Sequence, residues 1–128
     1  ADPVTFYFEE DGHAPFLDLW KRAGDEWTSL RDEAVRMSSQ SPLSSSTYPT
    51  TLVVAHGAFN RALLLRMLGL PMERWRDDKD HFLFDNCECV ELEWVLGSKH
   101  AQRWRRVHPV QLDWSTQSDE KKRAGFVN

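Results

Sequence analysis

Between Pro15 and about Met37, the apolar residues Phe16, Leu19, Trp20, Ala23, Trp27, Leu30 and Ala34 recur at steps of three and four. That spacing predicts an amphipathic helix with one apolar stripe, leaving Asp18, Lys21, Asp25, Arg31, Asp32 and Arg36 largely on its wet side. Pro15 suits the first turn, where its missing N–H leaves no bond unmade. Gly24 weakens the middle by about 1 kcal/mol relative to alanine, and the two tryptophans mark the stripe as a packing face. The Ser- and Pro-rich stretch 38–50 reads as a loop. Thr51-Leu-Val-Val-Ala55 is then a short apolar run without polar alternation, which predicts a strand buried on both faces in a parallel sheet. His56-Gly57 ends it. Helical periodicity resumes from Ala58 to Leu68, with Gly69 as C-cap and Pro71 just beyond.

Leu70 to Arg76 reads as a further helical turn, and 77–80 as a charged loop. Phe82-Leu-Phe84 leads into a turn at Asp85-Asn86. Val90, Leu92 and Trp94 alternate with Glu91 and Glu93, a turn falls near Gly97-Ser98, and Trp104 alternates with charged neighbours in Gln102–Val107. These two runs predict a hairpin. Asp2–Gly12, with its aromatic patch Phe6-Tyr7-Phe8, reads as a connecting segment, and everything after Pro109 is polar. The expected organisation is one α/β domain over 1–109, with a mostly parallel sheet, and a solvated tail over 110–128.

Composition narrows the function. A chain of 128 residues with 41% apolar and 28% charged residues makes one globular domain. Its net charge of -4 argues against non-specific nucleic-acid binding, which needs a surplus of cations. No apolar run approaches the roughly 20 residues that span a bilayer, so membrane insertion is not expected. Cys87 and Cys89, two apart on a strand, point to one face, cannot easily meet disulfide geometry, and read as buried apolar filler. Two thiols alone make a poor zinc site. The chain begins Ala-Asp-Pro without Met or a secretory pattern, which fits equally a processed product, a fragment or part of a longer protein.

His56 is the residue with chemistry to offer. A histidine at the carboxyl end of a buried strand, followed by glycine and a helix, sits where open α/β sheets bind ligands. The helix N-terminus presents free N–H groups and the positive end of its dipole to an anion. Gly57 lets the backbone come close, and the imidazole can donate to a phosphoryl oxygen. On spacing alone, a strand-end histidine satisfied by the backbone is an equal alternative. There is no Gly-x-Ser-x-Gly elbow for a serine hydrolase, and the histidines lack a metal-ligand spacing, so no metal is expected.

A longer series of residues carries a resemblance. Leu52-Val-Val-Ala-His56-Gly57, Arg61-Ala-Leu-Leu64, Leu68-Gly-Leu-Pro71 and Phe84-Asp-Asn86-Cys87 follow in the order found in the C-terminal half of the histidine phosphatase (phosphoglycerate mutase-like) superfamily. Asp11-Gly-His-Ala-Pro15, Leu19-Trp20, Arg22-Ala23 and Trp27 are similar to one branch, the plant and algal 2-carboxyarabinitol-1-phosphatase-like proteins. Together they cover roughly residues 2–107. The resemblance implies a partial three-layer sandwich and a phosphohistidine mechanism that needs no cofactor or metal. It places the second, phosphoryl-stabilising histidine at His56 with the Gly57 backbone beside it. It also brings Asn86 to the pocket and puts His13 where many relatives have a substrate-reaching glutamate, with a loop-ordering role as the alternative. A chloroplast follows from the branch alone.

The departure is as informative as the match. No Arg-His-Gly, the family's nucleophile segment, occurs in the chain, and His81, His100 and His108 do not replace it. Arg61 falls beyond the first turn of its helix and reads as structural. Two expectations follow. One is the C-terminal portion of a histidine phosphatase acting on a small phosphorylated metabolite, inactive when isolated. The other is a non-catalytic subunit in a larger assembly, with Phe6–Phe8 and the six tryptophans as protein-binding anchors and unpaired strand edges needing cover.

Overall fold

The computed structural model describes residues 2–40, 50–77 and 88–107. Helix α1 spans Pro15–Gln40. Its stripe behaves as the spacing requires: Phe16, Trp20, Ala23 and Trp27 are buried, and Leu19 and Leu30 pack partly against them. Helix α2 spans Gly57–Leu68 and buries five consecutive residues, Arg61 to Leu65. Consecutive burial means neighbours on every side, unlike the single stripe of α1. Gly69 ends α2 in the left-handed region at φ 71, its N–H donating to the Arg66 carbonyl, while the Leu70 N–H donates to Leu65. This paired closure is the expected glycine C-cap.

The two helices pack across Gly24. A Cβ there would fall onto the Arg66 guanidinium, which lies 5.1 Å from the Trp20 ring. A residue that weakens the isolated helix is thus the one that admits the crossing. Helix α3, Arg74–Asp77, sets Trp75 edge-on to Phe16 with ring centroids 5.0 Å apart. Val4 is also in the core, at the start of a segment that sequence alone read as a connector. An Asp2 carboxylate that accepts the Val4 N–H and pairs with Arg76 at 2.5 Å holds it there.

Strands β1, Cys89–Glu93, and β2, Arg103–Val107, form the expected hairpin, antiparallel with Leu92 opposite Trp104. Its outer face is an ion-pair ladder, Glu93 with Arg103 and Glu91 with Arg105. Its loop docks on the helices. The Trp27 Nε1 donates to the Lys99 carbonyl at 3.1 Å, Arg31 donates to the same oxygen, and the Ala101 N–H donates to Met67 at 2.7 Å.

Three expectations are not met among the described residues. The described residues contain one sheet, two-stranded and antiparallel, rather than a mostly parallel one. Residues 50–55 form no strand. Val53 packs partly on the core, but Leu52 and Val54 are 82% and 84% exposed. An apolar run becomes a buried strand only where other strands take its N–H and C=O groups, and no described segment pairs with it. Cys89 is exposed, on the outer face of β1, and is not core filler. Cys87 lies outside the described residues.

Candidate functional site

His56 is the N-cap of α2. Its backbone is extended, φ -75 and ψ 156, and its carbonyl accepts the Asn60 N–H at 2.9 Å, closing the first turn. The Asn60 Nδ2 reaches back to the Ala55 carbonyl at 2.9 Å and fixes how the chain enters the helix. The residue is exposed, and its side chain makes no capping bond. By helix geometry the N–H groups of Gly57, Ala58 and Phe59 have no intrahelical acceptor. Nothing lies within 4 Å of where a Gly57 Cβ would stand, so that side of the backbone is open. An exposed imidazole and a row of free N–H groups at a positive helix end together suit a tetrahedral oxyanion.

The other sequence-derived residues fare differently. His13 is held in a tight loop closed by Phe8 N–H to His13 carbonyl and Gly12 N–H to Phe8 carbonyl, both 2.7 Å, with Gly12 at φ 73. Its own N–H donates to Asp11 at 2.8 Å, and its ring stacks on Phe8 at 6.1 Å. It is exposed just before α1, and no ring contact joins it to His56. Asn86, His81 and His108 lie outside the described residues. The His100 ring sits over Gly69, where a Cβ would come within 2.7 Å of it.

Arg61 is buried, 4.1 Å above the Trp75 ring, and donates to the Trp75 carbonyl. It ties α2 to the segment carrying α3. The sequence reading missed Arg22, whose guanidinium lies 5.8 Å from the Phe59 ring, beside the first turn of α2, and 3.9 Å from Asp18. Only a knowledge of how the helices cross brings it there. Among the described residues no group of three or more His, Cys, Asp or Glu could hold a metal ion.

Residues 8–107 match the model of the histidine phosphatase superfamily (branch 1). The chain belongs to this superfamily. Its α2 and the preceding His56 fall inside the matched region, as do α1 and the hairpin. This histidine phosphatase chain is also 33% identical over 104 residues to the probable 2-carboxy-D-arabinitol-1-phosphatase of Arabidopsis thaliana. That match takes in 78% of the chain and 18% of the plant protein, so the chain spans less than a fifth of that relative's length. No solved structure matches. No described helix is long and apolar enough to cross a membrane.

Proposed function

We propose that this chain is the second-histidine portion of a phosphatase that acts on a small phosphorylated metabolite through a phosphohistidine intermediate. The nucleophilic histidine, for which the chain has no Arg-His-Gly segment, is supplied from outside these residues. It attacks phosphorus as the ester oxygen leaves, and water then attacks the phosphohistidine to release phosphate. His56 and the Gly57 N–H hold the phosphoryl oxygens while charge develops on them. His13 reaches the substrate and Asn86 borders the pocket. The chemistry uses no metal or cofactor, and a chloroplast location is part of this proposal, drawn from the plant and algal resemblance alone.

The observation that supports this most is the uncommitted His56 side chain at the opening of α2, within a stretch matched to a phosphatase superfamily. The test uses the protein isolated from its source. Its intact mass should exceed 14.9 kDa, its sequence should contain Arg-His-Gly, and it should hydrolyse p-nitrophenyl phosphate. A native protein of that mass without activity would sink this reading.

A second reading is a non-catalytic subunit of a larger assembly. The bare Leu52 and Val54 favour it, because side chains so exposed call for a covering partner. Phosphatase activity abolished by His56→Ala would exclude it.

A further inference from the structure

The charge of the chain is unevenly placed. The whole sequence has 20 acids and 16 bases, yet residues 1–20 hold five of the acids and no lysine or arginine. The remainder is close to neutral, so the net charge of -4 originates in this opening stretch. The same stretch bares its rings: Phe6, Tyr7 and Phe8 are exposed, Tyr7 at 56%. Phe6 and Phe8 meet edge to face at 5.0 Å. Phe6 also walls an open apolar hollow of about 380 Å³ with Pro3, Pro15, Phe16 and Leu19.

The loop closed between Phe8 and His13 carries Glu9, Glu10 and Asp11, which follow the three rings directly in the chain and are exposed. Asp2 is neutralised by Arg76, and Asp18 faces Arg22. Glu9 and Glu10 have no ion-pair partner among the described residues. Aromatic faces carry negative quadrupoles, so the rings and the carboxylates alike favour cations. The apolar lining of the hollow in turn suits an apolar group.

We propose that this surface docks a basic polypeptide segment in which arginines or lysines flank an aliphatic anchor. The anchor fills the hollow, and the cations lie over Tyr7 and against Glu9 and Glu10. An acidic segment or a nucleic acid would meet like charge at this loop. The surface does not use His56, although its acidic loop also carries His13.

The probe is a fluorescein-labelled peptide alternating arginine and leucine, titrated with the whole chain and followed by anisotropy. One control peptide has glutamate for arginine and another has serine for leucine. The arginine–leucine peptide alone should bind. Its affinity should fall by about tenfold or more in the Glu9→Lys, Glu10→Lys double variant, and again when salt rises from about 0.05 to 0.5 M. Tyr7→Ser should weaken it too. All three side chains are exposed, so circular dichroism should be unchanged. Equal binding of the glutamate–leucine peptide, or indifference to the double variant, overturns the proposal. So does self-association of the free chain that the double variant abolishes, since the surface would then belong to a second copy.

Discussion

His56 is exposed and uses its backbone rather than its ring to start α2, so the imidazole can be removed with little structural consequence. His56→Ala should change stability by no more than about 0.5 kcal/mol. On the proposed phosphatase reading, it should lower kcat of the longer protein for p-nitrophenyl phosphate by about 100-fold or more; paired melting and assay of one preparation checks both. Glu93 gives a second expectation at this scale. The hydrogen bond from Arg103, aided by its charge, holds the Glu93 carboxyl below its ordinary 4.5. A depressed folded value means that the stabilisation is present above about 4.5 and is lost as pH falls through the folded value. A carboxyl-carbon NMR titration should give a midpoint below 4.5 that returns toward it in Arg103→Ala. Sequence located the opening of α2 just after His56 because a glycine-bounded start and a periodic run fix a helix opening locally, but the buried strand expected to end at His56 is not formed. Sequence could not place Arg22 or Val4, whose positions depend on what crosses over them, and it mistook Cys89 for filler because alternation does not say which face is wet.

At the scale of elements, the α1–α2 crossing turns on Gly24. Gly24→Ala gains about 1 kcal/mol of helix propensity but displaces the Arg66 guanidinium from Trp20, so the single variant should be close to neutral. In an Arg66→Ala background the same change should stabilise by about 1 kcal/mol. A double-mutant cycle in urea measures the difference. Gly69→Ala has no such compensation. A side chain at φ 71 is strained and strikes His100, so a loss of about 1–2 kcal/mol is expected. The helices and hairpin were legible because each has its own period and punctuation. The crossing was not, since Gly24 read only as a weak helix former until Arg66 lay against it.

For the molecule as a whole, Leu52 and Val54 stand out as the least protected large apolar side chains among the described residues. An uncharged, unpaired run invites association through its edge. Val54→Lys should therefore reduce concentration-dependent light scattering while leaving the helical spectrum intact. The parallel sheet was the part of the fold that sequence could not supply. Thr51–Ala55 has the composition of a buried strand, but strandhood belongs to a set of neighbours, and composition names only one member of the set.

The five successive buried residues of α2 leave its middle no free side, while its first turn, beside His56, is exposed or half-buried. A rod clamped all round cannot roll or slide to absorb a defect, so it passes displacement to its tip, where His56 stands. Shaving Leu64 to alanine would then be felt first as faulty aim and only later as melting, because an error of about 1 Å in a reacting group can cost on the order of 100-fold in rate. On the proposed reading, the grip that keeps the chain folded also keeps the chemistry at His56 on target.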